Sequence, residues 1–281
     1  MNDREQLHRE VLENQVRVRT PKAGGSGTVI ASLPQPEGGE YHTYAITCHH
    51  VIESAIEVKE AWDSRVGRQR KREYRQLVTT EFFDWSNVPH GHRPLTYSAD
   101  AEVVAYDSTH DMALLRLRTL KAAPAVAAVP TPGSERALAI GSPVVAVGCA
   151  LLHDPIMTSG YITHMGDEID YKLYWMSNAA TVFGNSGGAV FAEFAATADR
   201  PGSYRFVGIP SRIDIAGWGS PITHLGYFSP ITRIYEFLDE QLYHFLIPGH
   251  EHTEARCEEE RRERKESEDR RLQMERPEQD S

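Results

Sequence analysis

The stretch TVFGNSGGAVF, residues 181–191, sets three glycines around Ser186, with an aromatic residue ahead and apolar residues behind. Glycine loses more backbone freedom on ordering than any other residue, so such a turn needs a geometric reason. On its own, a Gly-Asn-Ser-Gly-Gly run is most often a tight turn. The chemical alternative is a serine held as a nucleophile. A serine hydroxyl is a weak nucleophile until a base takes its proton, and the base works best when a third group fixes its tautomer. That alternative therefore requires a histidine and an acid at strand ends or turns of the same domain.

Both are present. AITCHHVIESA (45–55) offers His49 and His50 at the end of an apolar run, and AYDSTHDMALLRL (105–117) offers Asp107, His110 and Asp111 just before another. Singly, each has a plainer reading, as a structural histidine or a turn aspartate. Cys48, two residues before His50, reads as a small buried packing residue.

The surrounding pattern is β-rich. VRVRT (16–20) alternates apolar and charged residues, and GTVIAS (27–32), AEVVAYD (101–107), SPVVAVG (142–148), KLYWMSN (172–178) and YRFVGIP (204–210) are strand-like runs separated by glycine and proline. About a dozen such runs without intervening helical periods predict an antiparallel all-β barrel or sandwich. One helix is predicted in SPITRIYEFLDEQLYHFL (229–246), where Ile231, Ile234, Leu238, Leu242 and Phe245 fall at helical spacing. Ser229 is its expected N-cap and Pro230 its first helical residue.

The organisation expected is an N-terminal arm (1–15), a β domain (16–248) whose halves divide near 120–135, and a tail (249–281). The tail is nearly all charged with both signs mixed, and reads as disordered or as a solvated helix, available to a regulatory partner. The basic run Arg65 to Arg75 reads as a solvated loop.

Composition narrows the function classes. The chain has 281 residues, 40% hydrophobic, and a formal net charge of −10, which argues against affinity built on neutralising nucleic-acid phosphates. Three scattered cysteines give no disulfide framework. There is no apolar run long enough for a membrane span and no secretory signal at the start, so a cytoplasmic location is the expectation, although a chain with its signal removed reads the same. His90 and His92, and His250 and His252, lack a third or fourth ligand at a recognisable spacing, so neither a metal site nor a cofactor is expected. GGSGT (24–28) lacks the lysine of a phosphate-binding loop.

Taken together, GGSGTVIAS, AITCHHVIESA, AEVVAYDSTHDMALLRL, GSPVVAVGCALLHDPIMTSGYIT and GNSGGAVF resemble, in order, the motifs of trypsin-like serine peptidases, above all those of the bacterial HtrA-like branch. The resemblance runs from about Val16 to Leu246. It implies two six-stranded antiparallel β-barrels of the chymotrypsin type, closed by a C-terminal helix and followed by the charged tail.

It also implies a serine endopeptidase acting on proteins or peptides through a His50–Asp111–Ser186 triad, with the N–H groups of Gly184 and Ser186 as the oxyanion hole. Ala180 falls at the base of the primary pocket. Gly208 and Ile209 fall on the strand that runs along the substrate. No aspartate stands at the pocket base, so a small or medium apolar side chain is the expected preference.

The chain departs from relatives at three points. Asn185 stands where zymogen-type relatives carry an aspartate, the tail is too short and polar for the PDZ domain usual in HtrA proteins, and Ala189 replaces a common proline. Activation by amino-terminal cleavage is not expected. The competing expectation is an adaptor on the same fold, non-catalytic or activated by a partner. Oligomeric state is not legible.

Overall fold

The computed structural model describes residues 3–64, 67–85, 93–196 and 202–274. His90 and His92 lie outside them. A first helix, α1 (Asp3–Leu7), runs into a π-type turn (His8–Leu12) that buries Val11 and Leu12. The first closed barrel follows, from β1 (Gln15–Arg19), β2 (Gly24–Pro34), β3 (Tyr41–Thr47), β6 (Val78–Asp84), β7 (Leu95–Asp107) and β8 (Met112–Thr119), in the order β1-β2-β3-β8-β7-β6. The second is made of β9 (Pro143–Gly148), β10 (Ile156–Ile169), β11 (Lys172–Ser177), β12 (Ala189–Phe194), β13 (Ser203–Ile215) and β14 (Pro221–Pro230), in the order β10-β11-β14-β13-β12-β9. Each strand pair is antiparallel. The fold is the chymotrypsin-like double barrel that the sequence led us to expect.

β9 and β12 show why these runs are apolar throughout rather than alternating. Val144, Ala146, Val190 and Ala192 fill the second barrel. Val145, Val147, Ala189 and Phe191 point the other way, into the large core shared with the first barrel. A strand buried on both faces has no solvent side to carry polar residues.

The first barrel closes where β1 meets β6, with Arg17 opposite Glu81. The Glu81 carboxylate accepts from Arg17 Nε and, at 3.1 Å, from Arg19 Nε. Burial alone would raise its pKa, but the two guanidinium groups outweigh burial and hold it below the usual carboxylate range. A carboxylate depressed in this way stabilises the fold above its unfolded pKa of about 4.3, and loses that contribution as pH falls through the lower folded value. Glu81→Gln is therefore expected to lower the urea midpoint at pH 7, and the gap to wild type should vanish in acid. A gap that persists at pH 2 would show that packing, and not charge, closes the seam.

Two local expectations are corrected. Of the basic run expected to be a loop, Arg65 lies outside the described residues and Arg68–Arg75 form a strand: β5 (Arg68–Arg75) pairs with β4 (Ile56–Asp63) as a separate antiparallel hairpin. Alternation in KREYR carries no apolar face, so nothing in the composition marked it as a strand. The closing helix α3 spans Ile231–Glu240 and begins after Pro230, whose extended backbone (φ −71°, ψ 159°) makes it the N-cap. Ser229 is instead buried at the end of β14. Ile231, Ile234, Phe237 and Leu238 are buried as their spacing requires, and the chain turns off at Leu242 (φ +58°).

The tail forms a long helix, α4 (Glu254–Met274). Its first turns dock on the protein. Glu254 accepts from Tyr44 Oη (2.6 Å) and pairs with His42 Nδ1 (2.6 Å), Cys257 is fully buried, and Arg261 lies over the Tyr243 ring at 4.0 Å. Among the described residues no helix is long and apolar enough to cross a membrane.

Candidate active site

The site lies where the two barrels face each other. β3 ends in extended Cys48 and passes into a single helical turn, α2 (His49–Ile52), which buries Val51 and Ile52 and leaves the His50 ring half exposed. Asp111 opens β8 from the left-handed region, at φ +57°, a conformation aspartate tolerates better than most residues. Its carboxylate clasps His50 twice. Oδ1 accepts the His50 backbone N–H at 2.9 Å, and Oδ2 lies 2.8 Å from Nδ1. This fixes ring orientation and places the Nδ1 proton toward the acid, which leaves Nε2 free as an acceptor.

Asp107, the other carboxylate of that stretch, is engaged elsewhere. It accepts from the N–H groups of Thr109 (2.7 Å) and His110 (3.1 Å) and pairs with the His110 ring. His49 stacks on Tyr106.

The 184–188 turn packs against β2 and the end of β3. A Cβ on Gly25 would lie 2.7 Å from Val51 and 2.9 Å from the Ser186 carbonyl, so β2 threads between them only as glycine. Gly187 (φ +83°) leaves room for no side chain beside the Ser26 carbonyl and Thr47 Oγ1, and its N–H donates to Pro210 O at 3.0 Å. Asn185 is buried within its own turn, where its Oδ1 accepts from Val182 N–H at 3.2 Å.

The orientation of the Phe183–Gly184 peptide follows from its partners. Leu151 N–H donates to the Phe183 carbonyl at 2.7 Å. In a trans peptide the N–H points opposite to the carbonyl, so the Gly184 N–H faces away from the 149–152 turn. Gly184 takes φ +93°. Among the described residues the backbone N–H groups of Gly184 and Ser186 have no hydrogen-bond partner, while both residues' carbonyls are occupied: Ser26 Oγ donates to Gly184 O (2.6 Å) and Ser26 N–H to Ser186 O (2.8 Å). The 149–152 turn is itself held by the barrel seam, because Arg17 Nη1 donates to Leu152 O at 2.9 Å.

Cys48 and Cys149 are buried beside these groups. Burial, reinforced for Cys48 by the Asp111 charge, pushes its thiol well up, and burial carries Cys149 up to about 12. Both remain protonated at neutral pH and offer no competing nucleophile.

Of the residues expected to meet substrate, Ala180 is half-buried in the turn after β11, its carbonyl accepting from Thr158 Oγ1 at 2.8 Å. Gly208 and Ile209 are buried on β13, and a Cβ at 208 would overlap the Phe228 ring. The β12–β13 ladder ends at Val190↔Gly208, so β13 gains an open backbone edge only beyond Gly208. The roles of Ser26, Arg17 and Leu151 were not read from sequence. Ser26 sat inside a quoted motif, but its partners lie more than a hundred residues away.

Two six-stranded antiparallel barrels, with a histidine–carboxylate pair held by the first and a serine in a glycine-rich turn of the second, are the architecture of the trypsin-like peptidase class. Residues 25–194 match the family model of the trypsin-like peptidase domain, and the chain belongs to that family. Among solved structures it is similar to an HtrA-type protease, AlgW with a tripeptide, at TM-score 0.57 and 18% identity over 85% of this chain and 63% of that one. It is also similar to Deg5, at TM-score 0.54 and 16% identity over 84% of this chain and 94% of that one. At these identities the likeness is one of fold. The chain thus spans just under two thirds of the AlgW chain's length. No curated protein matches it by sequence.

Proposed function

We propose that the protein hydrolyses peptide bonds through an acyl-enzyme formed on Ser186. His50 Nε2 takes the Ser186 proton as Oγ attacks the scissile carbonyl, and the imidazolium that forms is stabilised by Asp111. The N–H groups of Gly184 and Ser186 receive the developing oxyanion, and each such donor is worth about 3 kcal/mol where one has been removed. The His50 proton then passes to the leaving amine, and water repeats the sequence to release the acid. An extended peptide is expected to pair with the open edge of β13 beyond Gly208.

The observation that carries this reading is the pairing of the double Asp111 clasp on His50 with two unengaged N–H groups at the serine turn. The outward Phe183 carbonyl supports a site formed without an activator. Labelling with a fluorophosphonate probe, followed by peptide mapping, tests it. Ser186 should carry the adduct in the wild-type protein, and Ser186→Ala should carry none. Label at another residue, or in that variant, would overturn the assignment. No labelling of the folded wild type would favour the adaptor.

A further inference from the structure

Three imidazoles converge where α3 gives way to α4. His244 follows the end of α3, and His250 and His252 lie in the loop leading into α4. His250 and His252 were too few, two residues apart, to suggest a metal site in the sequence. The fold adds His244 and two carboxylates, Asp239 from α3 and Glu260 from α4.

We propose that His244, His250 and His252, with Asp239, bind one divalent transition-metal ion, Zn²⁺ fitting best. The ring centroids lie 4.8, 4.8 and 5.2 Å apart. With Zn–N lengths of about 2.0–2.1 Å, imidazoles on two tetrahedral directions have centroids about 5 Å apart, so the triangle has the right size. The donor atoms agree. His250 Nδ1 and His252 Nδ1 face each other at 3.0 Å, and His244 Nδ1 and Asp239 Oδ1 lie 2.9 Å apart. The edge of such a tetrahedron is about 3.3 Å. One ligand atom from each of Asp239, His244 and His250 falls within 4.8 Å of the others, and His252 joins this group through His250.

Two further features point to a ligand. His244 Nδ1 is buried without a hydrogen bond, since Asp239 lies close but off the axis a bond needs. Such an orphan is costly unless something else meets its lone pair. Glu260 faces the outer nitrogens, 3.3 Å from His252 Nε2 and 3.9 Å from His244 Nε2, while also accepting from Arg256 Nε at 3.0 Å. A carboxylate on the far nitrogen of a ligating histidine fixes its tautomer and raises its basicity. Three imidazole nitrogens with one carboxylate oxygen suit Zn²⁺ better than Ca²⁺ or Mg²⁺, which favour all-oxygen sites. The ion would tie α3 to the start of α4, and so clasp the tail to the protease domain, remote from the Ser186 turn in sequence and independent of its chemistry.

The test titrates Zn²⁺ alone into the chelator-stripped full chain, carrying Ser186→Ala to prevent self-cleavage, by calorimetry, with Co²⁺ absorption as a second readout. One equivalent should bind, Co²⁺ should show the intense visible bands of a tetrahedral site, and Zn²⁺ at a hundred times Kd should raise Tm by about 5–10 °C. His250→Ala with His252→Ala, both in an exposed loop, should weaken binding at least a hundredfold without changing the metal-free Tm. Glu260→Gln should weaken it about 10–100-fold. Absence of saturable binding would overturn the proposal and leave a histidine–histidine hydrogen bond. Binding that survives the double variant but is lost with His50→Ala would equally overturn it, placing the ion at the Cys48–His50–Asp111 group instead.

Discussion

Asp111→Asn should lower kcat about 10⁴-fold and leave the fold intact. Asparagine tolerates the left-handed backbone that Asp111 adopts at φ +57°, so the start of β8 need not move. Its amide oxygen can still accept the His50 backbone N–H, which now meets Asp111 Oδ1 at 2.9 Å. The amide nitrogen then replaces Oδ2 beside His50 Nδ1, where the acid now sits at 2.8 Å. A donor there turns Nδ1 into an acceptor and moves the ring proton to Nε2, the nitrogen proposed to take the Ser186 proton. The loss is therefore one of tautomer, not of geometry. KM and the thermal midpoint should change little. A fall of less than tenfold would mean that His50 is oriented by something else. Asp107 is a poor substitute, because it is committed to His110 and Thr109.

Gly184→Ala should lower kcat about 10²–10³-fold, the cost of losing one oxyanion donor. At φ +93° a side chain is strained whatever the space, and here there is none: a Cβ would lie 2.6 Å from Leu151 N and 2.7 Å from the Cys149 carbonyl. Both are backbone atoms of a turn held from behind by Arg17, so the 184 side must move. Its movement breaks the Leu151–Phe183 hydrogen bond and swings the Gly184 N–H away from the oxyanion. Steady-state kinetics should show kcat reduced with KM nearly unchanged, and fluorophosphonate labelling slowed in proportion. An unchanged kcat would remove Gly184 from the oxyanion hole.

The class of fold and the residues expected to form the triad were legible because they sit in short, local signals. His50 follows an apolar strand, Asp111 precedes one, and Ser186 lies in a turn that only glycine can shape. The β4–β5 hairpin was not legible, because strands that bury almost no apolar surface leave no periodic trace. The start of α3 was misread by one residue, since Ser229 and Pro230 both carry capping preferences and the β14 ladder claims the serine. The histidine triad of the C-terminal loop was also hidden. Its third ring follows α3 and its carboxylates belong to two helices, and only their packing brings them together.

Ser26 has a consequence for the making of the protein. It belongs to the first barrel, yet its backbone and hydroxyl shape the 184–186 turn and cap the Cys149 N–H (2.7 Å), all in the second. During synthesis the first barrel leaves the ribosome several seconds ahead of residue 186 at ordinary elongation rates. In that interval the nascent chain holds a histidine and an aspartate with no hydroxyl to activate. Docking of the barrels is then also the moment at which the proposed activity makes the protein dangerous to its neighbours, and its own half-built chain is spared.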